Sequence, residues 1–387
     1  MKDRARFAVS ISFLVFGLTV GGLIPRVPTL KENLHLSDGQ VGLALLGVSV
    51  GGIAGSLASR LVIRTGARRF VRAGTPILCA AAITPGLAPS LLALVGAFFI
   101  VGFLWAFIDV LDNALGAHLE RIRRRHLING LHGFWSLGAF LGSLIAGVAA
   151  SLGVKPVLQF VATGAVIAVG SQWFLRDLPE LGAAEDAPRG DRPVSLTGLV
   201  LALAAMSFAA VIAEGGTSDW SALFLRELSH ASPGLAAAGF SGFSIAAVLV
   251  RFRADRLTTR AGRVVVARIG AATAVAGLAL ALAFPALPTA IAGFTLVGMG
   301  TAVVLPLAFA AGANLGRGGG SLALVMASTY AGTIAGPPLI GTIADRLGLR
   351  LAMAIPLAGA LAVLCLAGSL RGSASSASGA ELAVGRG

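Results

Sequence analysis

Twelve apolar runs of roughly twenty residues divide this 387-residue chain, and that spacing constrains its fold more than any motif does. Their approximate limits are 7–25, 39–59, 70–88, 91–118, 128–150, 155–175, 195–216, 234–254, 264–284, 289–313, 321–343 and 350–369. A helix rises about 1.5 Å per residue, so ~20 apolar residues cover a ~30 Å hydrocarbon core. Strands of a membrane barrel would be half as long and would alternate in polarity. In oil each backbone N–H and C=O must be bonded within the protein, which leaves helices for runs of this length. The charged residues, 12% of the chain, are too few to coat a water-soluble globule, where ~25% is usual. The basic start MKDRARF precedes a run that is long for a signal peptide and lacks a clear A-x-A site, so it reads as the first spanning helix. The expected fold is an all-α membrane protein with twelve transmembrane helices.

A net charge of +13 would suit a nucleic-acid binder, but the basic residues lie in short clusters between apolar runs. The N-terminus, the C-terminus and the alternate loops on their side hold 24 of the 30 Lys and Arg; the other loops hold six. The positive-inside rule then predicts both termini in the cytoplasm, in a cell inner (plasma) membrane. An odd number of helices would mix the two sets. Cys79 and Cys365 fall inside apolar runs without metal-like spacing and read as packing residues. No metal and no cofactor is expected.

The polar, proline-containing stretch after the sixth run, RDLPELGAAEDAPRGDRP, reads as a cytoplasmic linker. It divides the chain into an N-terminal six-helix bundle (1–175), the linker (176–194) and a C-terminal six-helix bundle (195–371); the tail 372–387 is expected to be disordered. The two halves repeat at a shift of 194 to 196 residues. Gly21-Gly22 matches Gly215-Gly216, Arg60 to Gly66 matches Arg256 to Gly262, and Gly138, Gly142 and Gly147 match Gly332, Gly336 and Gly341. A parallel six-plus-six repeat sets a pseudo-two-fold axis along the membrane normal, with a solute site between the halves.

The fourth run ends VGFLWAFIDVLDNALGAHLER, residues 101–121. Offsets of three and four put Asp109, Asp112 and Asn113 on one helix face. Counting back from Arg121 sets Asp109 about 18 Å deep. A carboxylate there is expensive and is expected to face the bundle interior or a wet cavity.

These features resemble the major facilitator superfamily, and the likeness covers all twelve helices. Its loop signature after helices 2 and 8, of the form G-x-x-x-D-R-x-G-R-R, is matched by Asp255-Arg256, Arg260, Gly262 and Arg263. The first copy has Gly55, Ser59-Arg60, Arg64, Gly66, Arg68 and Arg69, with Ser59 where the Asp is expected and a longer spacer. A finer likeness, to the fucose-permease-like carriers, is carried by Ile24-Pro-Arg26-Val-Pro28, Asp109-Val-Leu-Asp112-Asn113, His132-Gly-Phe-Trp135-Ser and Asp219-Trp220-Ser-Ala. The resemblance implies proton-driven solute transport by alternating access.

On that reading Asp109 is the first candidate for proton coupling, followed by Asp112 and by Glu214, which falls inside the seventh run. Asn113 offers donors and an acceptor to a substrate. His132 and Trp135 share a face of the fifth helix and join it as binding candidates, against a purely structural role for the histidine. Trp105 fits either a sugar ring or the lipid. Arg26 and Asp219 near the outer ends of helices 1 and 7 form a candidate gate pair. Glu120, Arg60, Arg64, Asp255 and Arg256 form a candidate inner gate, beside the plainer role of setting topology. The expected activity is proton symport of a small polar solute, sugar-like or a related metabolite, by a monomer in the bilayer. Proton-driven export of amphipathic compounds is the runner-up; helix 5 has Gly142-Ser143 and no proline where drug antiporters of the superfamily carry Gly-Pro. A receptor would append a sizeable soluble domain. No HExxH, GxSxG or phosphate-cradling lysine motif points to an enzyme.

Overall fold

The computed structural model describes residues 2–123, 127–181, 197–315 and 320–371; the side chains of 2, 3, 64 and 65 are outside that description. Every regular element among the described residues is helical. Among the described residues twelve spans are long and apolar enough to cross a membrane: α1 (Arg4–Leu34), α2 (Asp38–Ile63), α3 (Gly66–Leu87), α4 (Leu91–Arg123), α5 (Ile128–Ser151), α6 (Pro156–Leu175), α7 (Gly198–Glu227), α8 (Pro233–Arg251), α9 (Arg263–Ala283), α10 (Leu287–Asn314), α11 (Gly320–Leu347) and α12 (Leu349–Arg371). Each corresponds to one apolar run. The expected linker is described only to Leu181; the tail 372–387, Arg124 and Arg125 lie outside the described residues.

Several helices outrun their apolar segments. α1 continues through a 3-10 turn at Ile24–Arg26 and on to Leu34. The fixed φ of Pro25 and Pro28 suits the first positions of each new helical segment, where an N–H has no intrahelical partner to lose. α7 continues to Glu227, so Asp219 and Trp220 lie within the helix and not beyond it. The trace is helical from α2 into α3, with Gly66 alone outside helical geometry at the bend.

Glycines set the closest packing. A Cβ on Gly21 would lie 1.9 Å from the Ala139 carbonyl oxygen, and one on Gly138 would lie 2.0 Å from that of Leu14. Thus α1 and α5 touch backbone to backbone, which small residues alone allow. α7 meets α11 where Gly332 faces Phe208 and Val211. The halves meet along α5 with α8 and along α2 with α11. Large apolar side chains stay exposed on the outside, Leu92 and Val169 among them, as a lipid-facing surface requires. Cys79 is buried, while Cys365 is exposed and so is not the interior packing residue expected.

Candidate functional site

Of the two ends of the bundle, one carries the arginine-rich loops after α2, α4 and α8; it is called the basic end below. Inward from it, four helices contribute to one polar layer. On α4, the Asn113 amide donates to the Asp109 backbone carbonyl (2.9 Å) and carboxylate (3.1 Å). Its Oδ1 lies 3.2 Å from His132 Nε2 on α5. One turn further, the Ser136 hydroxyl donates to the His132 carbonyl at 3.1 Å and accepts from Arg251 Nη1 of α8. Arg251 Nη2 in turn donates to Glu214 of α7 at 3.0 Å, and its guanidinium lies 5.4 Å from the Trp135 ring centroid. The polar chain therefore runs α4–α5–α8–α7 and crosses from one half to the other.

α4 projects beyond the start of α5, and His132 is four residues, about 6 Å, from Ile128. Asp109 lies one turn past Asn113, and 11 residues, about 16 Å, from Glu120, whose carboxylate meets the start of α5. Asp109, Asn113, His132, Trp135, Glu214 and Arg251 are all half-buried. The Trp135 indole N–H is buried and has no partner among the described residues.

Two expected members of the site point elsewhere. Asp112 is fully buried and turns to α1, where the Ser12 hydroxyl lies 2.7 and 2.9 Å from its two oxygens. The three polar residues of α4 are thus divided between two neighbours. Trp105, at 7% exposure, faces neither lipid nor an opening; α1 covers it, and its N–H donates to Thr19 at 3.0 Å. Arg251 was not among the expected site residues. Its signal was a basic residue within the limits of the eighth apolar run, the same signal that marked Asp109 in the fourth.

The opposite end is latched. Lys31 pairs with Asp38 (2.5 Å) in its own half and with Glu227 of α7. Arg226 Nε donates to Glu32 at 2.6 Å. The Ser37 hydroxyl, which also caps α2, donates to Asp345 of α11 at 2.9 Å. Lys31 and Arg226 are related by the repeat at a shift of 195, as are Glu32 and Glu227. Each half's base therefore meets the other half's acid. Beneath the latch α2 and α11 approach closely: a Cβ on Gly42 would lie 2.5 Å from the Pro337 carbonyl.

The expected outer pair is not formed. Arg26 is 2% exposed and donates to the Val154 carbonyl at 2.5 Å, while Asp219 accepts from Ser218 at 3.3 Å. Among the described residues neither makes an ion pair. The turn bearing Arg26 is packed among α5, α7 and α8, and the mouth itself is reached by Lys31 and Glu32, more than a turn further on. At the basic end Glu120 accepts from the backbone N–H groups of Leu127 and Ile128, capping the start of α5. Asp255 accepts from Asn129 of the other half. Arg60 and Arg256 are exposed, and the side chain of Arg64 lies outside the described residues. Ser59, standing where the superfamily signature has Asp, is fully buried and donates to Ser56 at 2.8 Å. Among the described residues both ion pairs that join the halves lie at the latched end.

The model of the Major Facilitator Superfamily matches residues 9–317. An uncharacterized transporter of Sinorhizobium fredii is 32% identical over 348 residues, covering 89% of this chain and 92% of its own length. An uncharacterized MFS-type transporter of Yersinia pestis is 31% identical over 370 residues, covering 93% and 94%. Among solved structures, the nucleoside transporter NupG aligns with a TM-score of 0.64 at 14% identity, over 96% of this chain and 98% of that one. The human organic anion transporter MFSD10 (TETRAN) aligns with a TM-score of 0.68 at 17% identity, over 95% and 99%. At these identities the structures share the fold.

Proposed function

Because the chain belongs to the Major Facilitator Superfamily, we propose that it is a proton-coupled symporter of a small polar organic solute, sugar-like or a related metabolite, working by alternating access. One observation carries this reading: the polar layer that joins Asp109, Asn113 and His132 of one half to Arg251 and Glu214 of the other. A carboxyl group at a seam between halves changes its hydration as the seam opens and closes. Water favours the charged form and a sealed apolar site the neutral one, so such a group can bind a proton in one state and release it in the other. Asp109 is assigned that role, with Glu214 held ready by Arg251 as a second acid. Asn113, His132 and the unpaired indole N–H of Trp135 supply donors and an acceptor for a hydroxylated or carbonyl-bearing solute.

The basic end is assigned to the cytoplasm by the positive-inside rule, with both termini on that side. The latched end then faces outward, and this conformation is closed to the outside. The fucose-permease-like placement rests on the four sequence segments already quoted. The protein is taken to work as a monomer.

The test begins with a thermal-shift screen of the purified protein against sugars, organic acids and drugs, which supplies the solute. Uptake into proteoliposomes is then measured with and without an imposed pH gradient. The gradient is expected to accelerate wild-type uptake, and Asp109→Asn to remove that acceleration while leaving solute-induced stabilisation in place. An Asp109→Asn protein with wild-type, gradient-driven uptake would show that coupling lies elsewhere. Stabilisation by apolar drugs alone would favour export of amphipathic compounds.

A further inference from the structure

We propose that the cleft between α3 and α6 at the basic end holds the headgroup of an anionic phospholipid. The cleft has a volume of about 970 Å³ and lies within one half, separate from the polar layer. Its walls carry Arg68, Arg69 and Arg72 from α3, with Gln172 from α6 and Glu180 beyond it. Three guanidinium groups against one carboxylate leave it strongly cationic. The Arg72 Nε is buried and has no partner among the described residues. A buried donor on a charged group left without an acceptor is costly, so an acceptor is expected there. Gln172 does not fill the place; its amide donates to the Arg72 backbone carbonyl at 3.0 Å.

The other two arginines are held differently. Arg68 Nη2 donates to the Arg176 backbone carbonyl and its Nη1 reaches Glu180 at 3.3 Å, but that carboxylate is 81% exposed, and such surface pairs contribute only ~0–1 kcal/mol. Arg69 is exposed, lying 5.0 Å over the Phe70 ring. A phosphate oxygen can displace the Glu180 contact and accept from Arg72 and Arg69, since guanidinium forks match phosphate geometry. Basic pockets between membrane helices on this side suit anionic lipid headgroups.

The rim argues for a lipid over a free anion. Pro76, Ala168 and Val169 line the same cleft, and Val169 is 77% exposed. Exposed Ile77 and Val166 continue the apolar surface away from the arginines. Trp173, with the Arg176 guanidinium 3.5 Å over its ring, stands near the basic end of α6, where interfacial aromatic residues gather. A free phosphate would use only the cationic wall; a phospholipid uses the wall and the apolar rim together.

The test is the melting temperature of the full chain in mild detergent. The additions are phosphatidylglycerol, phosphatidylcholine and millimolar inorganic phosphate. Phosphatidylglycerol is expected to raise it by about 3 °C or more, and the other two much less. Arg69→Gln with Arg72→Gln should remove most of that rise, while Arg260→Gln, at an exposed position of the same end, should keep it. If the double variant does not fold, Arg69→Gln alone should lower the rise by at least half. The proposal is overturned if wild type shows no rise with phosphatidylglycerol, if phosphate or phosphatidylcholine matches it, or if the variants at 69 and 72 retain it.

Discussion

Glu214 and Arg251 meet at 3.0 Å with side chains only 18% and 13% exposed, but they are not equally provided for. Arg251 also donates to Ser136 and lies against Trp135, whereas Glu214 has Arg251 as its one partner among the described residues. Removing one member of a buried pair leaves the other uncompensated, which costs about 3–5 kcal/mol in full burial. Arg251→Leu should therefore lower the melting temperature more than Glu214→Gln does. The double variant should recover part of the loss, with a coupling of roughly 1–3 kcal/mol in a double-mutant cycle. Additive losses would mean that the contact carries no energy. The two acids of α4 should also separate. Asp112 is sealed against Ser12, so Asp112→Asn is expected to act mainly on stability, and Asp109→Asn on gradient-driven uptake. Equal loss of gradient dependence in both would place Asp112 in the coupling site as well. Asp109 was legible because a carboxylate in an apolar run demands an explanation. Arg251 obeys the same logic from the end of its run, where a basic residue also fits a loop. Its bond to Glu214, 37 residues away, depends on how α7 and α8 cross, which no local pattern records.

The helices themselves were legible because length and hydropathy decide what crosses oil. Their ends were less so. Lys31, Glu32, Arg226 and Glu227 read as loop residues once the apolar runs had stopped, but they lie on the last turns of α1 and α7, which meet each other at the latched end. Polar residues are tolerated there because they bond across the seam. The glycine repeat was legible as spacing, and the structure supplies its cause. A Cβ at Gly21 or Gly17 would stand 1.9 Å from a backbone carbonyl of α5, an atom that cannot rotate away. Gly21→Val should therefore force α1 from α5 and give aggregated or absent protein in size-exclusion chromatography of detergent extracts. Gly96→Ala, with open space around the new methyl group, should elute as wild type and gain up to ~1 kcal/mol from helix propensity. A monodisperse, active Gly21→Val protein would mean that the α1–α5 contact is looser than described.

For the whole molecule the question is what holds the latched end closed. Each ion pair there is partly exposed; Arg226 and Glu32 keep 32% and 47% of their side chains open, so either pair alone contributes only ~0–1 kcal/mol. Two such pairs with the Ser37–Asp345 bond act on the same motion, and each 1.4 kcal/mol changes a population tenfold. That is enough to bias a carrier without locking it. The pseudo-two-fold exchange of base and acid between the halves makes the idea testable by charge reversal. Glu32→Arg faces Arg226 with a like charge, and Arg226→Glu faces Glu32 in the same way, so each should shift the protein towards a state open at that end. Combining them restores an attractive pair in reversed sense, although Arg226→Glu also gives up the bond to the Ala231 carbonyl. The double variant should therefore return most, but not all, of the way. Spin labels at Asn33 and His230, the first exposed on α1 and the second just beyond α7, would report the separation as a distance distribution. Longer distances in each single variant and recovery in the double one are expected. If the double variant stays as open as the singles, the charges act independently on their own halves, and closure rests on the backbone contact between α2 and α11.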